Sequence, residues 1–392
     1  MTLTMRDLTG SVDRDRTLRF ATEITAAGAS DGREGPRAEL IADLLDHPRL
    51  DVVVDPALPG RPNVVVRLRG TGDAPGLLLN GHIDAGYVSA DEWSHDPLDP
   101  WVDGDRLYGG AVSDMLGGVA SLMEAMRVAA DLDPLPGDLV LLANMHHDSN
   151  GLGTKYALAT EDGWPRYGIN AEPTSLSILT THGGCVKFEV RFHGRIAHVS
   201  RSEEGRDALE AATRFVTELR DAGFSNQRDP DLPTLPRYQI GFISGGFAAA
   251  TVAPHAVLQG DVRTVPGMTW ETVRADLRGV AERVASDGIA ATVHCLVRQR
   301  PFVGVKDGRL FDALASAHRS VFGRDVEVNV DRAAQSFVTD ATDLAVAGIE
   351  TLVYGPGAWH LVADESIDID EMADAARVYL VTAARLMGIA GG

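Results

Sequence analysis

The sequence predicts an α/β protein: a larger domain with a mixed, mostly parallel sheet, interrupted by a smaller α+β domain. Two observations predict this arrangement. Apolar strand-like runs alternate with helical patterns towards both ends of the chain, and the middle follows the order β-α-β-β-α-β. With 392 residues, 44% of them hydrophobic, the chain is long enough for two or three domains with buried cores. We expect catalytic segments at residues 1–183 and 300–392 and an inserted domain at residues 184–299.

The outer segments carry the signals of a parallel sheet covered by helices. Residues 77–79 and 139–143 are short, fully apolar runs, as is typical of buried strands. Residues 115–132 place apolar side chains at helical spacing between these two runs. The same pattern resumes near residue 311, with a strand at 351–354 and a helix at 370–386.

The inserted segment has a different pattern. Strands are predicted at residues 186–192, 238–243, 257–265 and 291–298, and helices at 207–222 and 270–286. The first helix places Leu209, Phe215 and Leu219 on one face. This order predicts a compact, ferredoxin-like unit of two layers.

Composition excludes several classes of partner. The chain has 36 basic and 56 acidic residues, and its net charge of −20 argues against nucleic acid and against anionic membranes. Two cysteines give no disulfide framework, so a reducing cytoplasm is expected. Residues 1–16 lack the apolar core of a signal peptide, and the longest uncharged stretch, 238–260, is broken by Gly and Pro.

Five polar clusters each follow a strand-like run. The carboxyl ends of neighbouring parallel strands lie side by side, so these clusters are expected to converge. They contain two histidines and three carboxylates suited to a pair of Zn²⁺-like ions, with carboxylates able to bridge. These candidates are His82, Asp114, Asp148, Glu172 and His360.

Each cluster also has an ordinary structural interpretation. Asp84 is near enough to accept the second ring N–H of His82, but a His-x-Asp pair occurs often by chance. Asp114 precedes a helical pattern and could be an N-cap. Glu172 precedes a proline and could be a plain loop residue. The joint placement is what favours a metal site.

The motifs together resemble a metallopeptidase and deacylase family over nearly the whole chain. That family includes acetylornithine deacetylase, succinyl-diaminopimelate desuccinylase, aminoacylase and glutamate carboxypeptidase. The matching motifs are Gly81-His82-Ile83-Asp84, Asp114-Met115-Leu116-Gly117-Gly118, Glu172-Pro173-Thr174, Gly194-Arg195-Ile196-Ala197-His198 and Arg263-Thr264-Val265-Pro266-Gly267.

The resemblance implies two divalent ions, with zinc expected and cobalt or manganese as alternatives. His82 and Glu172 would hold the first ion and Asp114 would bridge both. Asp148 and His360 would hold the second ion. The spacing from His360 to Glu365 is one residue longer than is common in the family.

The resemblance also implies roles for other residues. Asp84 would orient His82, and His198 would come from a lid domain, in this family often across a homodimer, to stabilise an oxyanion. Arg263 would bind a substrate carboxylate, for which a guanidinium is well shaped. Gly357 and Thr251 would also contact the substrate, with Thr251 near a usual Asn.

The main departure from the family is His147. The family has two adjacent glutamates here, of which the first is the general base and the second a ligand. The corresponding residues are His147 and Asp148. A neutral imidazole can accept a proton near neutral pH, but two nearby cations would lower its pKa. His147 could therefore be the base, bind metal, hold the substrate, or be merely tolerated in a site that has lost hydrolysis.

These features predict a metal-dependent amidohydrolase that acts on an N-acyl amino acid or a small peptide-like amide bearing a carboxylate. Two alternatives stay open. One is acyl transfer, condensation or cyclisation within a biosynthetic pathway, and the other is a non-catalytic protein that binds a small molecule on the same scaffold.

Overall fold

A computed structural model describes residues 5–28, 33–85, 92–147, 150–225, 228–285, 288–330, 332–359 and 362–389. The chain divides into two compact units. The first draws its described residues from Met1–Thr180, Val303–Gln335 and Thr339–Gly392. The second comprises Thr181–Phe302 and Ser336–Val338.

Elements are numbered along the whole chain. The helices of the first unit are α1 (Met5–Gly10), α2 (Arg14–Ala26), α3 (Gly35–Leu44), α4 (Gly117–Asp131), α5 (Leu152–Thr160), α8 (Arg309–Phe322), α9 (Ala341–Val346) and α10 (Ile369–Leu386). Its strands are β1 (Leu50–Leu58), β2 (Arg61–Leu68), β3 (Leu77–His82), β4 (Trp101–Asp103), β5 (Arg106–Tyr108), β6 (Leu139–Asn144), β7 (Tyr167–Asn170), β14 (Glu350–Val353) and β15 (Ser366–Asp368).

A six-stranded sheet organises the first unit, in the order β1-β2-β6-β3-β7-β14. The β6–β3, β3–β7 and β7–β14 pairs are parallel, and the β1–β2 and β2–β6 pairs are antiparallel. This agrees with the predicted mixed, mostly parallel sheet. Strands β15, β5 and β4 form a separate small antiparallel sheet.

Alternation along the central strands explains why the sheet is covered on both faces. Leu77 and Leu79 join a large core that includes apolar residues of α4 and α10, whereas Leu78 joins a smaller core with Ala157 of α5 and Leu344 of α9. Successive side chains of a strand point to opposite faces of the sheet. A run that is apolar at every position therefore buries side chains on both faces. The runs predicted as buried strands are β3 and β6.

The second unit is an antiparallel sheet with two helices. Its main elements are β9 (Gly184–His193), α6 (Ala208–Ala222), β10 (Arg237–Gly245), β11 (His255–Thr264), α7 (Trp270–Val284) and β12 (Ala290–Gln299). The strand order is β10-β11-β9-β12, the ferredoxin-like arrangement predicted for β-α-β-β-α-β. Short strands β8 (Thr181–His182) and β13 (Phe302–Val303) pair with each other in a separate two-stranded sheet.

The predicted start of one helix needs correction. The helix expected at residues 115–132 begins at Gly117, because the preceding turn, Val112–Leu116, is wound too widely and has non-helical backbone at Asp114 and Met115. Asp114 has φ −122° and ψ 91°, and no side-chain cap is recorded for this turn or for α4. The N-cap interpretation of Asp114 is therefore excluded, and its carboxylate points to other partners.

None of the helices in the described part of the chain is both long enough and apolar enough to cross a membrane.

Candidate metal centre

His82, the last residue of β3, is held by a carboxyl group on each side of its ring. Nδ1 lies 3.1 Å from the backbone oxygen and 3.4 Å from Oδ1 of Asp84. Nε2 lies 3.3 Å from Oδ1 of Asp114 and 3.6 Å from Oε1 of Glu172. The orienting role predicted for Asp84 has the geometry it needs, since a ligand imidazole usually donates its other N–H to such a group.

His147 lies just beyond β6 and has the same kind of surroundings. Its Nδ1 is 3.0 Å from Oδ2 of Asp340, and its Nε2 is 3.7 Å from Oε1 of Glu172. Its backbone N–H donates to Oδ1 of Asp84 at 2.9 Å, which ties the ends of β3 and β6 together. The imidazoles of His82 and His147 are stacked, with centroids 4.6 Å apart and planes 8° from parallel.

Glu172 follows β7 and is the point on which both imidazoles converge. Its side chain is 2% exposed, and Oε1 has no hydrogen-bond partner among the described residues. His82, His147 and Glu172 each offer one atom to a group spanning at most 4.8 Å. Buried nitrogen and oxygen donors in such a triad fit a divalent ion of the zinc type.

Asp114 reaches the same cluster from the wide turn before α4. Oδ1 faces His82, while Oδ2 accepts a hydrogen bond of 2.8 Å from the indole N–H of Trp359. Asp114 therefore presents one oxygen to the His82 side and has the other engaged by an aromatic side chain.

Burial and mutual charge shift the pKa of every group in the cluster. Burial, together with the charge of Asp114, raises the pKa of Glu172 to about 8. Burial lowers the pKa of His147, but the charge and hydrogen bond of Asp340 outweigh it and raise that pKa to about 10. Burial opposes ionisation of Asp84, yet its contacts with His82 hold its pKa well below the usual range. A cation bound here would compete with these protons.

A second group of possible metal ligands includes Asp84, the residue at Nδ1 of His82. Glu34, Asp84 and His146 offer atoms within 4.8 Å of one another. Arg61 donates to Oε1 of Glu34 at 2.8 Å, and its Nη1 lies 3.1 Å from Nδ1 of His146. The guanidinium already supplies a positive charge to this group, so it is a weaker candidate for an ion.

Gly357 lies in a tight loop beside the cluster. Its φ of +77° favours glycine, and an added Cβ would lie 2.7 Å from Oγ of Ser113, the residue before Asp114. Its N–H donates to Glu371, and its oxygen accepts from the N–H of Ser175. The loop is thus packed against the segment that carries Asp114.

Other predicted site residues lie in the second unit. Exposed His198 has its Nδ1 2.8 Å from Oγ of Ser200, and His198 forms an isolated bridge with Thr251. Nε of Arg263 lies 3.0 Å from Asp261, and its Nη1 donates to the backbone oxygen of Ser336. Their roles towards a substrate stay predictions. Asp148 and His360, the predicted ligands of the second ion, lie outside the described residues.

Sequence reasoning missed two residues of the centre, Asp340 and Trp359. Asp340 precedes the short helix α9 and belongs to no recognisable motif. Trp359 carries no metal-ligating atom, and the motif search selected its neighbour His360 instead. Only the folded chain brings them to His147 and Asp114.

Comparison with known proteins identifies the family. Residues 180–288 match the family described as peptidase dimerisation domain. The acetylornithine deacetylase of Salmonella arizonae is 31% identical over 68% of this chain and 69% of its own length. That of Proteus mirabilis is also 31% identical, and the match covers 55% of this chain and only 56% of that protein.

Solved structures show the same fold. A di-peptidase from Saccharomyces cerevisiae superposes with a TM-score of 0.80 at 14% identity, covering 99% of both chains. A dinuclear metal-binding peptidase of the M20 family from Bacillus subtilis gives a TM-score of 0.66 at 15% identity, covering 94% of this chain and 97% of its own. The chain belongs to the metallopeptidase and deacylase family that includes acetylornithine deacetylase, which confirms the predicted resemblance and fold class.

Proposed function

We propose that this protein is a metal-dependent amidohydrolase that removes the acyl group from an N-acyl amino acid or cleaves a small peptide. The observation that carries the proposal is the buried convergence of His82, His147 and Glu172 beside Asp114. Family membership supports it, because two relatives are named acetylornithine deacetylase and a structural neighbour is a di-peptidase.

The metal centre is proposed to take divalent ions, zinc first among them, with cobalt and manganese as alternatives. His82 and Glu172 would hold one ion, and Asp114 would contact it through Oδ1. Asp148 and His360 complete the proposed second position. When bound, such ions polarise a carbonyl group and activate water.

The chain's own residues orient this chemistry. Asp84 fixes the ring of His82 at Nδ1, so that Nε2 faces the cluster. Arg263, with the assistance of Thr251 and Gly357, is proposed to select a substrate that carries a carboxylate, and His198 to stabilise an oxyanion. A guanidinium suits a carboxylate because it can donate two parallel hydrogen bonds.

The test is turnover by protein stripped with a chelator and reloaded with zinc, cobalt or manganese. The panel contains N-acyl amino acids and dipeptides, each with and without a free carboxylate. We expect metal-dependent release of amino acid, loss of turnover in Glu172→Gln, and no loss in Glu282→Gln, an exposed residue of α7. Fully loaded protein that releases no amino acid from any member would overturn the proposal. Amide formation with an added amine would instead identify an acyl transferase.

We also propose that the protein is a homodimer joined through its second unit. The matched family is described as a dimerisation domain, and β10 is an edge strand of the sheet with apolar residues exposed. Phe242 is 48% and Ile243 43% exposed on this strand, and Phe247 beyond it is 68% exposed. Such a strand with apolar side chains is suited to pair with a second copy.

Sedimentation velocity tests the dimer. Phe242→Glu should shift the protein towards monomer, whereas Val346→Glu, at a residue 65% exposed in the first unit, should leave the mass unchanged. A monomeric unsubstituted protein would contradict the proposal. The cytoplasmic location also stays a prediction, supported by the free thiols of Cys185 and Cys295.

A further inference from the structure

We infer that His147 is a ligand of the ion held by His82 and Glu172, rather than the general base, and that Asp340 is the residue that positions it. This inference deepens the proposed function and rests on it. At the position of His147 the family has a glutamate that acts as general base, so the inferred role of metal ligand is not part of the family pattern. Asp340, which belongs to no motif, is inferred to be a further residue of the site.

The first argument is the near equivalence of the two imidazoles. The rings of His82 and His147 are parallel to within 8°, and their Nε2 atoms lie 3.6 and 3.7 Å from the same oxygen, Oε1 of Glu172. Each ring has an aspartate at Nδ1, Asp84 for one and Asp340 for the other. What the geometry allows for His82 as a ligand, it allows equally for His147.

The second argument concerns the direction in which His147 offers its lone pair. A general base must point its free nitrogen at the water it deprotonates. Oδ2 of Asp340 lies 3.0 Å from Nδ1, so in the neutral ring Nδ1 is the donor and Nε2, which faces Glu172, carries the lone pair. The lone pair of His147 is therefore directed at the position of the ion.

The third argument is that Asp340 is itself held rigidly. Its Oδ2 accepts from Nδ2 of Asn144 at 2.7 Å, Asn144 Oδ1 accepts from Asn80 at 2.8 Å, and Asn80 Oδ1 accepts from Asn170 at 2.8 Å. These asparagines stand at or near the ends of β6, β3 and β7 and are fully buried. An ion pair on the surface does not require a buried series of hydrogen bonds to hold its carboxylate. A histidine that binds a metal ion is usually oriented by a partner that is itself held in this way.

The expected centre has two imidazoles and one carboxylate, with Asp114 adding Oδ1. Two histidines and a glutamate form a known catalytic zinc set. Because Trp359 engages Oδ2 of Asp114, the atom that a bridge to a second ion requires, we expect the first ion to bind more tightly than the second.

The experiment counts imidazoles on the ion without reference to turnover. Protein loaded with one equivalent of zinc is examined by X-ray absorption, and zinc affinity is measured by competition with a chromogenic chelator. We expect two imidazoles in the unsubstituted protein and one in His147→Gln. Asp340→Asn should weaken zinc binding by about 10–100-fold, as substitutions of such orienting partners do, and His147→Gln by at least as much. His318→Gln, a buried histidine hydrogen-bonded to Tyr354, is the matched control and should bind zinc normally.

A single imidazole in the unsubstituted protein would overturn the inference, and so would normal zinc affinity in His147→Gln combined with lost turnover, which would identify His147 as the base. The spectrum of the unsubstituted protein decides even if both variants fail to fold. Two imidazoles in a protein that hydrolyses no substrate would support the inference while the proposed function fails, so the two failures are distinguishable.

Discussion

Replacing Glu172 by Gln should stabilise the metal-free protein while it abolishes metal binding. Burial and the neighbouring charge of Asp114 raise the pKa of Glu172 from its ordinary 4.5 to about 8. The folded chain therefore holds a proton here that the unfolded chain releases above 4.5. Stability is lost as the pH rises from 4.5 towards 8 and is level above that. Gln has no proton to lose and keeps an amide N–H for Asp114.

The size of the effect follows from the same two pKa values. From pH 4.5, the ordinary pKa of a glutamate, to pH 7 is an interval of roughly 2.5 pH units. Each unit lowers the free energy of unfolding by ~1.4 kcal/mol, so at pH 7 it is about 3 kcal/mol lower than at pH 4.5. The gain in Glu172→Gln should therefore be near zero at about pH 4.5, about 3 kcal/mol at pH 7, and largest above pH 8.

Urea unfolding with excess chelator, at several pH values between 4.5 and 8.5, measures this gain. At pH 7 zinc should reverse the order, because a ligand at 1,000 times its Kd stabilises the unsubstituted protein by about 4 kcal/mol and leaves the variant unchanged. A variant that is no more stable than the unsubstituted protein at pH 7–8 in chelator would refute the electrostatic account of Glu172.

Three further predictions concern the scaffold. Burial lowers the pKa of His318 from 6.5 to about 4, so stability should fall as the pH drops from 6.5 to 4, and His318→Gln should flatten that slope in urea titrations. Phe215→Ala should cost about 3–5 kcal/mol in chemical unfolding, against less than about 1 kcal/mol for Leu209→Ala, at an exposed residue of the same helix. Gly357→Ala should lower turnover and stability more than Gly388→Ala. Both glycines have positive φ, but only at Gly357 would the added Cβ collide with a neighbouring side chain. Equal effects of the two substitutions would contradict the packing argument.

The fold could be predicted because its signals are local. The apolar runs of β3 and β6 are buried on both faces of the sheet, so their composition alone reveals them. The apolar face predicted for α6 buries Phe215 and Leu219 but leaves Leu209 exposed, and the helix begins at Ala208, directly after its N-cap Asp207. The turn at Val112–Leu116 could not be predicted, because the residues around Asp114 and Met115 continue the apolar pattern of α4 and give no local sign of non-helical backbone.

The candidate site was predictable only in part, for a related reason. His82 and Glu172 follow neighbouring strands, so the topology brings them together once a parallel sheet is expected. Asp340 comes from a distant loop, and nothing in its surroundings along the chain distinguishes it from other aspartates. The role of His147 could not be decided from its identity, because the two uses of an imidazole differ only in which nitrogen is held and where the other points.

The line of buried asparagines behind Asp340 has a polarity. Each amide donates towards the next, from Asn170 through Asn80 and Asn144 to the carboxylate, so their dipoles add head to tail with the positive end at Asp340. Hydrogen bonds in such a series polarise one another. On the inferred role of His147, the electron-donating strength of its imidazole would be tuned from Asn170, two strands away, without altering any residue proposed to touch the ion.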